Sequence, residues 1–175
     1  MFAKLLIILL SINFGLAITS VAQTPDPSAT VRAFYSFDKT APQVFNKRNL
    51  NRRKGWMSDR LYRLFEAELR KQRVFLASNP TDKPFFGDGF PFQPSDETCD
   101  VNGRSLRRRH SVRASGRVSA ARVQVPVTFW YPKPCTVDAI TFKVVAVRSG
   151  AKWLIDDIIY DDGRTLSDSM KNHRY

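Results

Sequence analysis

Helices first, then an antiparallel meander: an α+β fold is predicted by three observations. Apolar residues recur every three to four positions before residue 80 and every second position after residue 99. No strand–helix–strand alternation occurs in the second half, which argues against a parallel sheet. The turn signals Pro132-Lys133-Pro134 and Ser149-Gly150 divide that half into three apolar runs, joined as closely as antiparallel neighbours are. The expected architecture is a set of N-terminal helices packed on a curved antiparallel sheet.

Residues 1–22 read as a leader. Lys4 precedes an apolar run from Leu5, and Ser20 and Ala22 fit the small-residue positions of a signal-peptidase site. Ser11, Asn13 and Ser20 interrupt the run and a Pro-rich polar stretch follows it, which favours cleavage over a membrane anchor. Residues 23–175 are then expected as a single secreted or periplasmic domain with no transmembrane segment.

Pro27 and Ser28 open the first helix, Pro suiting the first turn and Ser the cap. Val31, Phe34 and Tyr35 form its apolar stripe, with Asp38 in the same spacing, and Pro42 breaks it. The basic stretch 47–54 reads as a helical turn or a solvated loop. Residues 58–76 are the strongest helix: Ser58 or Asp59 caps it, and Leu61, Leu64, Phe65, Leu69, Gln72 and Leu76 fall near one face. Residues 80–98 are rich in Pro, Gly and Asp yet carry Phe85, Phe86, Phe90 and Phe92. Such a loop either folds back over one end of the sheet and plugs the core with its rings or walls a ligand cavity.

Residues 117–131 read as one strand with Ala121, Val123, Val125, Val127, Phe129 and Tyr131 on one face. Pro126 lacks an N–H, which places that strand at an edge or a bulge. Residues 136–148 follow with Ile140, Phe142, Val144 and Ala146 inward, and residues 152–160 return as the last strand. Asp161-Asp162-Gly163 ends it. Residues 166–171 form at most a short terminal helix, with His173 in a frayed end.

The chain has 28 basic and 16 acidic residues; removing the leader with Lys4 leaves 27 against 16, a net charge of +11. The two cysteines, Cys99 and Cys135, survive that cleavage and read as one disulfide in an oxidising compartment. CxxC spacing, G-x-S-x-G, H-E-x-x-H, a Gly-rich phosphate loop and an Asp-rich calcium loop are all lacking. No cofactor and no metal are therefore expected.

Two kinds of site remain. Asp156 and Asp157 are adjacent on a strand, so one should face the helices unless a bulge intervenes. Desolvated beside Tyr35, that carboxylate would have a raised pKa and suit a general base; paired with an arginine, it would be structural. The lack of a second catalytic group favours the structural role. The basic clusters are the stronger signal. Lys47, Arg48, Arg52, Arg53 and Lys54 form one, and Arg104, Arg107, Arg108, Arg109 and Arg113, continued by Arg117 and Arg122 around His110, form the other. Such a field attracts anionic partners and makes their association salt-dependent; otherwise it only solubilises. No aromatic set interleaves with these arginines in the way that nucleic-acid binding requires, so nucleic acid is not the expected partner.

A first helix with Phe34-Tyr35, a long helix with Ser58 and Leu61, the loop Gly87-Asp88-Gly89-Phe90-Pro91-Phe92, and Trp153-Leu154-Ile155-Asp156-Asp157-Ile158 with Asp162-Gly163 and Leu166 follow in this order. Together they resemble the nuclear transport factor 2-like (SnoaL-like) cone fold, in the branch of exported bacterial domains of unassigned function. The resemblance implies a cone-shaped cavity between helix and curved sheet, in which catalytic relatives place Asp, His or Tyr, and a sheet face that pairs into homodimers in relatives. The arginine-rich segment 104–116 departs from that pattern. The resulting expectation is a non-enzymatic binding or protein-interaction module for an anionic envelope component or protein partner. The alternative is a small cofactor-free isomerase or hydratase using a cavity aspartate.

Overall fold

The computed structural model describes residues 26–94 and 98–174; the expected leader lies outside them. Four helices and a five-stranded antiparallel sheet share one core.

Helix α1, Pro27–Asp38, is capped by the Asp26 carboxylate, which accepts from Ser28 N at 3.0 Å, so the cap lies one residue ahead of the expected start and Ser28 is buried inside the helix. Its stripe of Val31, Phe34 and Tyr35 is fully inside, and so is Asp38. The basic stretch is helical: α2 spans Lys47–Arg53, capped by Asn46, and leads through a single 3-10 turn into α3, Asp59–Ser78. The Ser58 hydroxyl caps α3 by accepting from Leu61 N at 3.1 Å. Leu61, Tyr62, Phe65 and Glu68 are the buried residues of α3, so its seal weakens beyond its third turn, where Leu69, Gln72 and Leu76 are only half-buried.

Strand β5, Arg122–Trp130, alternates as expected, with Val123, Val125, Val127 and Phe129 buried. The segment before it is a separate strand. A turn at Ala120 and Ala121 reverses the chain, so β4, Gly116–Ser119, pairs back on β5 and Ala121 is exposed rather than inward. Strand β3, Arg109–Val112, pairs with the other half of the same side of β5. A short hairpin of β1, Asp100–Val101, and β2, Arg104–Ser105, precedes it. β6, Ile140–Ser149, and β7, Lys152–Ile159, complete the order β3-β5-β6-β7.

Pro126 therefore lies in an inner strand and at no bulge of it. Its carbonyl accepts from Arg113 N at 3.0 Å, beside the break between β3 and β4, where the regular pairing on that side of β5 stops. Helix α4, Leu166–Asn172, is docked through buried Leu166 and Met170; Lys71 Nζ on α3 donates to Met170 O at 2.6 Å. His173 is not frayed: its ring stacks on Phe85 at 4.0 Å.

The 85–94 loop inserts Phe86, Phe90 and Phe92 among Phe34, Phe45 and Phe65, with ring centroids 4.9 Å apart for Phe34–Phe92 and Phe45–Phe86. Each buried ring is worth about 1.5–3 kcal/mol over an exposed one. Gly89 makes the insertion possible: its φ is +120° and a Cβ there would meet Gln43 O at 2.7 Å. Rings from the helices, the loop and the sheet thus share one cluster.

Candidate functional site

Strand β7 is bulged. Val145 pairs with Asp157 and Ala146 with Ile155, leaving Asp156 as the extra residue. Ile155 and Ile158 both face the core, and the two aspartates fall on one side of the strand, where Arg60 Nη2 reaches Asp156 Oδ2 at 2.9 Å and Asp157 Oδ2 at 3.4 Å. Ser58 Oγ donates to Asp156 Oδ1 at 2.6 Å, and Arg122 Nη1 lies 3.7 Å from Asp156 Oδ2. Burial pushes the Asp156 carboxyl up, but hydrogen bonds from Arg60 and Ser58 and the charges of Arg60 and Arg122 outweigh it and hold the group below the usual carboxylate range. Asp157 Oδ1 accepts from Ile158 N at 2.9 Å and from Ser167 N at 3.0 Å. Together the pair fastens the start of α3 and the start of α4 to β7.

Tyr35 lies elsewhere. Its ring packs 5.5 Å from Phe129 and 5.7 Å from His110, and its hydroxyl is buried with no hydrogen-bond partner among the described residues. Burial, then the charges of Asp38 and Tyr160, push its pKa well above the usual tyrosine value. The three catalytic candidates are thus not brought together. An open cleft of about 360 Å³ exists, walled in part by rings of the core cluster. Phe85, Phe90, Ile140, Phe142 and Tyr160 wall it, with Asp88, Asp161, Asp162 and Arg164 among its charged groups; Tyr35, Asp156 and Asp157 do not line it.

The basic residues separate by environment. Arg53 is not a surface cation: it is 0 % exposed, its Nη2 lies 2.7 Å from Asp38 Oδ1, and its guanidinium sits 4.0 Å from the Phe90 ring centroid. Lys47 pairs with Glu66 and donates to the Tyr62 hydroxyl at 3.0 Å, while Arg48 and Arg52 are exposed on α2. Arg108 is turned inward, donating to Pro94 O with its guanidinium 5.0 Å from the Tyr131 ring centroid.

Arg104, Arg107, Arg109, Arg113 and Arg117 are exposed and have no acidic partner among the described residues. β3 carries Arg109 opposite Trp130 and Ser111 opposite Thr128, on the sheet's outer face, and turns His110 and Val112 inward. Burial, helped by Lys39, holds the His110 imidazole below its usual value, so it stays uncharged at neutral pH beside this row of arginines. The two basic clusters stand on different elements: α2 packs on α3, whereas β3 packs on α1 and β5.

Sequence reasoning missed Asp38 as a hub. Besides Arg53, Gln93 Nε2 donates to its Oδ2 at 2.9 Å and Gln43 Nε2 to its carbonyl at 2.7 Å, so α1, α2 and the ring-bearing loop meet there. The signal was its place on the buried stripe of α1, where a carboxylate needs an internal cation. Cys99 and Cys135 are bonded, tying the β1–β2 hairpin to the connection between β5 and β6. No helix of the described residues is long and apolar enough to cross a membrane. No protein-family model matches this chain, and neither the curated proteins nor the solved structures return a match to it.

Proposed function

We propose that this protein is an exported, non-enzymatic binding module that engages an anionic partner through the arginine-bearing edge of its sheet. One observation carries the reading: residues 101–137 contain seven arginines and one lysine and no acidic residue. Five of those arginines stand exposed without acidic partners among the described residues. Like charges clustered along one stretch of surface sum to a field that draws anions and fades as salt rises. The disulfide supports an oxidising compartment, and helices followed by a meander on one core support a nuclear transport factor 2-like cone. Nucleic acid is disfavoured because Tyr131 is taken by Arg108, which leaves Trp130 as the aromatic beside Arg109. The isomerase or hydratase reading requires an aspartate and Tyr35 in one open cavity, and their separation counts against it.

Chromatography on immobilised heparin tests the proposal. The protein should be retained at about 0.15 M ionic strength and elute with rising salt. Replacing Arg107, Arg109 and Arg113 together with serine should move elution to markedly lower salt, and replacing Arg48 and Arg52 should move it less. Flow-through of the unaltered protein at low salt, or equal elution of all three proteins, would overturn it.

A further inference from the structure

The two edges of the sheet are finished differently. Along β7 the chain covers itself: Met57 bridges Ile155 in parallel, Ser58 N donates to Ile155 O at 2.8 Å, Thr165 bridges Ile159, and Tyr160 N donates to Arg164 O at 2.9 Å. Along β3 no strand of the described residues pairs on the far side. The direction of its free groups follows from the ladder. Arg113 N donates inward to Pro126 O at 3.0 Å. In an antiparallel pair successive residues alternately face the partner and face away. Counting back, Ser111 and Arg109 aim their backbone groups at β5, and His110 and Val112 aim an N–H and a C=O each away from β5, where no backbone group of the described residues pairs with them. The same parity holds across β5, whose Ala121 carbonyl accepts from Arg148 N of β6 at 2.9 Å.

We infer that this edge binds an extended acidic segment of a partner polypeptide, which adds to β3 as a further strand with its carboxylates facing Arg109 and the flanking Arg107 and Arg113. The inference rests on the proposed anionic partner and names its chemistry. Side chains two apart on a strand lie about 6.6–7 Å apart on one face, so carboxylates four residues apart in the segment, about 13–14 Å, match arginines placed at 109 and 113. A second copy of this chain is a poor occupant, because edge-to-edge pairing would set like charges opposite each other. A sulfated or phosphorylated polymer satisfies the arginines but offers no alternating N–H and C=O to meet His110 and Val112. A polypeptide offers both.

The test uses the whole protein and a capped ten-residue peptide alternating glutamate and threonine, with a second peptide N-methylated at every other residue on the edge-facing side. Binding of the first peptide should slow amide hydrogen exchange at His110 and Val112 at least tenfold, and N-methylation should weaken binding at least tenfold. Val112→Pro removes one outward N–H without touching the β5 ladder, and should weaken peptide binding while leaving heparin retention unchanged. Equal affinity of the two peptides, unchanged exchange at His110 and Val112, or no peptide binding by a protein that heparin retains would overturn the strand-addition inference alone. Loss of heparin retention as well would overturn the proposed function with it.

Discussion

At Asp38 a full negative charge sits with 0 % exposure, which costs several kcal/mol unless a cation and hydrogen bonds replace the lost hydration. Arg53 supplies the cation through Nε at 2.8 Å, and spends its Nη1 donors on Pro42 O at 3.1 Å and Asn49 O at 3.2 Å. Gln93 satisfies the other carboxylate oxygen. Removing one partner strands the other, so Arg53→Met should lower unfolding free energy by about 3–5 kcal/mol in urea titrations. Arg52→Ala, one residue away and exposed, should stay within about 0.5 kcal/mol. The double variant Asp38→Leu with Arg53→Met should regain much of the loss. Equal stability of Arg53→Met and Arg52→Ala would show that the pair holds nothing together. Asp38 was legible as an oddity on an apolar stripe. Arg53 was hidden among neighbouring cations, although it lies three residues after buried Leu50 on the same face of α2, and that spacing was the available signal.

Among the elements, β7 joins the two halves of the fold. Its bulge shows in the burial phase: Ile155 and Ile158 are both fully buried yet three apart, which a period of two cannot produce without an extra residue; from the residues alone it stayed one of two alternatives. The β4–β5 turn was not legible, because Ala120 and Ala121 carry no turn signal; pairing with β5 imposes the reversal. Pro126 was misplaced for the same reason, since only the tertiary arrangement shows that two short strands leave a break beside it. The aspartates set on the bulge give this junction a pH dependence. With its folded pKa held below the unfolded value of about 3.9, Asp156 stabilises the fold fully above about pH 5. That contribution falls as pH drops through 4 toward the folded value and vanishes below it. Asp156→Asn should therefore be less stable than the unaltered protein at pH 7, by about 1–3 kcal/mol, and the gap should close toward pH 3. Ser58→Ala should cost about 1 kcal/mol through the lost cap. A gap that stays constant from pH 7 to pH 3 would remove Asp156 from the charged junction.

Across the whole molecule, stability and binding are allotted to different regions. The ring cluster, the Asp38–Arg53 pair and the β7 junction join helices to sheet, while the arginine-bearing edge has few contacts of its own beyond β5 and α1. The disulfide restrains the approach to that edge, alongside the contacts of Arg108 with Pro94 O and Tyr131. Cys99 and Cys135 are 36 residues apart in sequence, and closing a loop of that length stabilises by about 3–4 kcal/mol in the chain-entropy treatment. Locally, Leu106 N donates to Cys99 O at 2.7 Å, so the hairpin leading into β3 hangs from the bonded cysteine. Reduction, or Cys99→Ser with Cys135→Ser, should lower the urea midpoint while leaving the far-ultraviolet circular dichroism of the native protein nearly unchanged. Hydrogen exchange should accelerate most in residues 99–108 and least in β5, β6 and β7, whose ladders do not pass through the cysteines. Coincident midpoints with and without reductant would mean that the bond contributes nothing in solution. A uniform rise in exchange would mean that the edge and the core open as one unit, and that the arginines are held by the whole fold rather than by the bond at their approach.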